Sequence, residues 1–456
     1  MGEIVAAVAT CHTPYMFTRP PDENQQHLDQ AGAAMQELGR VLDETKPDVI
    51  LFFGADHVET FSVSCVPAFA IIAGDRAIAK FAGREHNLPI HREMAEDLLN
   101  KLVVDHDFDI AYSEDAELGH AFSVTCIPSF AIIAGSRAMA RFAGREHNLP
   151  IHREMAEDML NKLVVDHNFD MAYSEDAELG HAFSIPFEYV IGKRPIPVIP
   201  FFTNVYVPPL PTPRRCEALG KAIAEIVKGR KERVAIIASG GMSHFPGTEK
   251  YHYPEFDFDR WLLSELETGN TSALLNMTGT QLDEVGNTEL LSWAVMFGAI
   301  GALRGELIDY LPTWHHGLGI MRFLPQRAHA TSTLKVSEEF GGIKFLNAGF
   351  QFYKHPPAEA YGLNKLLFES RHSQDLRLRI INDFESVTNQ YELHGQQREA
   401  AKSILKLGTG GKVSDHVAPL AEAGAHPLQA LMAMHVIFST ATKRGQDAMA
   451  AASAKR

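Results

Sequence analysis

The chain has 456 residues, room for about two to three domains, and its 45% hydrophobic and 22% charged content is that of an ordinary globular protein. Its formal net charge of −15 argues against a nucleic-acid partner. Four cysteines without a CxxC pair exclude a zinc knuckle or a thioredoxin-type motif, and no apolar run is long enough to span a membrane.

Residues 4–10 read as a short strand that ends at Cys11-His12-Thr13-Pro14. A helix over 24–45 precedes a second strand, 48–53, that ends at Gly54-Ala55-Asp56-His57, so a βαβ unit is expected. A parallel pair would bring His12 and His57 to the same edge of the sheet, where function usually sits in an open α/β fold. The start of the chain carries Glu3 instead of a basic leader region. Ala6 stands where a myristoylation signal needs Ser or Thr, and a cytoplasmic location is expected.

Residues 62–122 then recur as residues 123–183, a period of 61 with nine differences. Two copies are too few for a solenoid, and the pattern reads as a tandem duplication inside one domain. Each copy holds an apolar strand, a helix (91–103 or 152–164), a short strand (108–112 or 169–173) and a closing Glu-Leu-Gly-His, which puts forward His120 or His181. His120 runs on into another strand-like stretch. His181 runs into Ser184-Ile185-Pro186-Phe187, and it is the one placed in the site. The copies could splice into one unit with the middle looped out, or a whole copy could add strands at one edge.

A Pro-rich passage (195–213) and a helix (215–228) lead to an apolar strand, 234–238, broken by Gly240-Gly241 and followed by Ser243-His244. Eleven residues after His244, Glu255 stands among aromatics. Gly240-Gly241 lacks the lysine and the spacing of a phosphate loop. Helices are predicted over 256–268 and 288–303, and a strand pair near 341–353. Residues 354–362 read as a linker into helix-rich sequence, with a frayed tail after about 446. His315-His316 could serve substrate or structure, and Asp56 could orient His57 or cap its turn.

Two neutral imidazoles and one carboxylate on one face leave a divalent ion with open positions, and His12, His57 and Glu255 are the right residue types. His244, with a side chain that titrates near neutrality, suits a general base. These motifs (His12-Thr13-Pro14, Ala55-Asp56-His57, the Glu-Leu-Gly-His segment at His181, Gly-Gly-Met-Ser-His at His244 and Pro-Glu-Phe-Asp at Glu255) resemble the class III extradiol ring-cleavage dioxygenases, typified by protocatechuate 4,5-dioxygenase and gallate dioxygenase. The resemblance covers residues 1 to about 350. Residues from about 361 to 440 are similar to the small helical subunit of that family.

The resemblance implies an α/β fold with a central mixed sheet flanked by helices and a small all-α C-terminal domain. The catalytic domain would span 1–353, the helical one 354–446 and the tail 447–456. It implies Fe(II) on His12, His57 and Glu255, with His244 as the base and His181 assisting proton transfer. The substrates would be a small aromatic diol, such as gallate or protocatechuate, and O2. A homodimer without nucleic-acid or membrane partners would carry out the reaction. The alternatives are a zinc metallohydrolase on the same residues and a non-catalytic relative acting as a binding protein.

Overall fold

The computed structural model describes residues 1–21, 23–57, 69–72, 76–81, 84–89, 92–105, 110–113, 116–118, 122–124, 129–142, 145–324, 334, 336, 342–354, 356–406 and 413–441. Its principal sheet has nine strands: β1 Glu3–Thr10, β2 Val49–Asp56, β3 Phe130–Phe142, β4 Arg145–Leu149, β5 Ala172–Leu179, β6 Val198–Asn204, β7 Arg233–Ser239, β8 Glu306–Pro312 and β9 Gly317–Phe323. The order is β4-β3-β6-β2-β7-β1-β9-β8, with β5 paired to β3. The four central strands β6, β2, β7 and β1 run parallel, in registers such as Ala238↔Phe53 and Ser239↔Thr10. Antiparallel strands flank them on both sides, so the sheet is mixed. The carboxyl ends of the four parallel strands therefore open onto one edge.

The central strands are apolar on both faces because helices cover both. Ala6, Val8, Ile50, Phe52, Ala235 and Ile237 face the helix Gln25–Thr45 through Leu28, Met35, Leu38 and Leu42. The alternate residues Ala7, Ala9, Leu51, Phe53, Val234 and Ile236 face the helices Pro213–Lys228 and Leu291–Ile300. Each fully buried Leu, Ile or Phe contributes about 1.5–3 kcal/mol, so the alternation of the strands fixes which helix lies on which side. The Asn24 side chain accepts from the backbone of Gln26 and His27 at the start of the first helix, and Thr212 caps the second with Pro213 at its first position.

From Phe130 on, the second copy of the repeat joins the principal sheet, as β3, β4, the helix Arg153–Val165 and β5. The first copy, with Ser123 and Val124 from the start of the second, makes two separate sheets. One pairs Phe69–Ile72 with Ile110–Ser113, and the other holds Arg76–Phe81, Arg84–Pro89, Ala116–Leu118 and Phe122–Val124. Among the described residues no spliced unit forms, and the principal sheet takes its repeat strands from the second copy alone. His120, Cys65 and Cys126 lie outside the described residues, as does the tail 447–456.

The strand pair predicted near 341–353 is absent among the described residues there. Backbone N–H groups of Gln351, Phe352 and Tyr353 donate to the Asp283 carboxylate at 2.6–3.1 Å, and those of Leu346 and Asn347 donate to Glu284. Carboxylates thus take the donors that a neighbouring strand would otherwise satisfy. From Tyr361 to Ala441 the described chain is helical around its own core, which includes Leu363, Leu367, Ile380, Val387, Leu431 and Met434.

Candidate active site

His12 lies two residues beyond β1, His57 one beyond β2, Tyr206 two beyond β6 and His244 five beyond β7, all at the same edge. All four are buried. His12 Nε2 and His57 Nε2 are 3.3 Å apart. A carboxylate meets both, and it belongs to Glu289: Oε2 is 3.1 Å from His12 Nε2 and Oε1 is 2.9 Å from His57 Nε2. Glu289 sits in the short helical turn Thr288–Leu290 that opens the helix Leu291–Ile300, and it is fully buried. Its Oε2 also accepts the Gly241 N–H at 2.5 Å, and its Oε1 the Tyr206 hydroxyl at 2.6 Å.

The structure does not bring Glu255 to this cluster. Glu255 occupies the N-cap position of the helix Phe256–Thr268, its side chain 39% exposed and ion-paired with Lys250. Its contribution is structural, because its backbone N–H donates to Ser243 Oγ at 2.7 Å, and that hydroxyl donates to the Val285 carbonyl. Asp259 completes this support under the His244 loop, accepting from Ser243 N, Asn287 Nδ2 and Tyr310 Oη. Burial pushes the Asp259 carboxyl up to about 7 although all three donors pull it down. The signal for Glu289 is present in the sequence as a lone acid opening the long apolar helix run Leu290–Ile300, where a charge can be buried only if it is paired.

Hydrogen bonding settles the tautomers of two histidines. Ser239 Oγ has one proton and donates it to the Ala182 carbonyl at 2.7 Å, so it accepts from His12 Nδ1 at 2.8 Å and leaves His12 Nε2 as the open nitrogen. His244 Nδ1 donates to the Met242 carbonyl at 2.7 Å, which leaves Nε2 for the site. Burial holds His12 and His57 in the neutral form, His57 down to about 4. Burial alone would raise the Glu289 carboxyl, but His12 and His244 beside it bring it well below the ordinary carboxylate range. Against burial, Glu289 raises His244.

His181 begins the short helix His181–Pro186. Its ring centroid is 4.1 Å from that of His57, and one ring nitrogen from each of His12, His57 and His181 falls within a 4.8 Å group. His316 stacks on His244 at 4.1 Å and 11°. The Gly241 backbone makes room for it, since a Cβ there would lie 2.0 Å from His316 Nε2. His315 and His316 therefore both line the site. A cavity of about 580 Å³ opens above these rings, walled on the far side by Leu428, Leu431, Met432 and Phe438 of the helix Pro427–Ala441. The helical region also reaches the site backbone, with Arg371 donating to the His57 carbonyl at 3.3 Å and His426 to that of Tyr206 at 2.9 Å.

Residues 121–321 match the family described as the catalytic LigB subunit of aromatic ring-opening dioxygenase. A 2,3-dihydroxyphenylpropionate/2,3-dihydroxicinnamic acid 1,2-dioxygenase of Klebsiella pneumoniae (strain 342) is 33% identical over 128 residues, 28% of this chain and 40% of that protein. Its counterpart in Cupriavidus necator is 23% identical over 69% of this chain and 96% of its own. A gallate dioxygenase of Pseudomonas putida is 26% identical over 50% of this chain and 72% of its own. Among solved structures, an uncharacterized protein of Escherichia coli K12 aligns with a TM-score of 0.41 at 11% identity over 70% of this chain and 99% of that one, a likeness too slight to carry an argument. The matched segment holds Glu289, His244 and His181 and begins two residues before the second copy of the repeat. Over residues 121–321 the chain is thus similar to the LigB catalytic subunit, and together with the named relatives this supports an extradiol ring-cleavage dioxygenase.

Proposed function

We propose that the protein cleaves a catecholic aromatic acid of the gallate or protocatechuate kind with dioxygen, using Fe(II) held by His12, His57 and Glu289. The observation that carries this is the approach of two imidazole nitrogens and one carboxylate to within 2.9–3.3 Å of one another at the sheet edge. The donor set fits a divalent ion, because the open nitrogen of His12 is aimed inward by Ser239, both imidazoles are held neutral and the carboxylate is held charged. Bound there, ferrous iron would offer positions to both the diol and dioxygen and move charge between them.

The side chains divide the remaining work. His244 anchors Nδ1 on Met242 and presents Nε2 to the cavity, so Nε2 is the atom that exchanges a proton with a ring hydroxyl. We assign to His181, whose ring lies 4.1 Å from that of His57, the passing of a proton at the same rim. A cavity of about 150 Å³ is enough for a benzene ring, so 580 Å³ admits a substituted one. The apolar wall from Leu428 to Phe438 strips water from the bound ring. We take residues 1–353 as the catalytic part and 354–446 as a helical part that closes its cavity, in a cytoplasmic homodimer.

Anaerobic Fe(II) loading followed by gallate, protocatechuate and 2,3-dihydroxyphenylpropionate, with oxygen uptake and a yellow ring-opened product as readouts, tests the reaction. Retention of zinc with no oxygen uptake on any diol would sink it. Glu289→Gln should abolish iron binding while Glu255→Gln retains it. The reverse result would return the carboxylate ligand to Glu255.

A further inference from the structure

Tyr206 is a fully buried phenol that the roles above leave without a task. It follows β6, where the Asn204 side chain bridges to Val207 N and O at 3.1 and 2.7 Å and fixes the turn. Its carbonyl accepts from His426, and its ring packs edge-on against Tyr353 at 4.8 Å. Backbone and ring are therefore both set before the hydroxyl is considered. That hydroxyl lies 2.6 Å from Glu289 Oε1 and 2.9 Å from His244 Nε2.

A carboxylate can only accept, so the phenol proton goes to Glu289, and the phenol oxygen in turn accepts from Nε2–H of His244. The separation of 2.6 Å is that of a charge-assisted O–H···O⁻ bond, among the stronger kinds. On the other side of the carboxylate, Gly241 N–H holds Oε2. With each oxygen held by its own donor, the Glu289 carboxylate cannot rotate about its last bond. We propose that Tyr206 is a positioning residue of the metal centre. Its hydroxyl fixes the plane in which Glu289 meets the ion and ties that plane to the seat of His244.

The inference rests on Glu289 as a metal ligand. Tyr206→Phe keeps the ring and removes only the bridge. Fe(II) affinity, measured anaerobically by competition with a chelator, should weaken about 10–100-fold, the usual cost of losing a group that orients a ligand. The rise in Tm on adding Fe(II) should shrink accordingly, while the metal-free Tm stays near that of the parent. In turnover the loss should fall on kcat, with KM for the diol moving by less than about threefold. Tyr353→Phe, which loses only a bond to the Pro246 carbonyl, should leave Fe(II) affinity unchanged. If the parent protein binds Fe(II) and Tyr206→Phe binds it equally well, Tyr206 is structural and the inference falls alone. If the parent binds no Fe(II), the proposed metal centre falls and takes this inference with it. Should the Phe variant not fold, Tyr206→Met repeats the same comparison.

Discussion

Residues 62–122 and 123–183 differ at nine of 61 positions, yet they have different fates. Internally they fold alike: Ala77 pairs with Leu88 and Ala116 as Ala138 pairs with Leu149 and Ala177, and Ala70 with Ala111 as Ala131 with Ala172. Among the described residues only the second copy pairs with β6, through Phe130↔Thr203 and its neighbours. Its helix buries Met155 and Met159 completely, whereas the matching Met94 and Leu98 of the first copy are 65% and 44% exposed. Beyond Glu-Leu the copies diverge. Where the first copy runs on into the second, Phe122–Val124 is a strand paired with Ala116–Leu118; where the second runs on into the rest of the chain, His181–Pro186 is a helix. Local register is thus written into the 61 residues. Whether the unit joins the core depends on what stands beside it.

The largest effect should separate the two terminal histidines. His181→Ala should lower kcat/KM by about 10²–10⁴-fold, the range for a lost proton-transfer group, and His120→Ala should leave it at the parent value. Steady-state kinetics on both variants checks this, and equal losses would mean that both copies serve the site.

A second test concerns the seat of the second copy on the sheet. A Cβ on Gly54 of β2 would lie 2.6 Å from the Phe183 ring, so Gly54→Ala should cost about 1–3 kcal/mol by overpacking. Denaturant melts would show it. An unchanged midpoint would mean that the copy is not held there.

Deleting residues 62–122 or 123–183 leaves chains that differ only at those nine positions, among them Leu98/Met159 and Ile110/Met171. Swaps of that kind usually cost less than about 1.5 kcal/mol each. Both deletions should therefore build the same sheet, bind Fe(II) and differ little in melting. If only one folds, the nine differences matter more than position.

The smallest difference is expected in pH dependence. Asp259, outside both copies, is raised from 3.8 to about 7 by burial, so between those values the folded chain holds a proton that the unfolded chain has lost. Its contribution to stability must fall as pH rises from about 4 to about 7. The same slope should appear in the full chain and in both deletion chains, and Asp259→Asn should flatten it in all three.

Much of this arrangement is legible in the chain. The strands and helices ahead of His12 and His57 follow from apolar runs closed by turn residues, and the βαβ order brings those two histidines to one edge. His244 is found in the same way, beyond its own strand. The carboxylate is not: Glu255, among aromatics eleven residues on, looked the better partner, but its N-cap position and Lys250 turn it outward. Glu289 is marked only as a lone acid at the start of an apolar helix, with no sign of its partners, and Tyr206 lies in a Pro-rich turn that announces nothing of its role. Sequence period and turn chemistry act over a few residues, and they suffice to place strand ends and to set the internal register of each repeat. Which carboxylate is desolvated between two imidazoles, and which of two near-identical copies finds a sheet edge free, depends on packing between segments far apart in the chain. That was decided only when the helix Leu291–Ile300 and β6 came to lie against the four parallel strands.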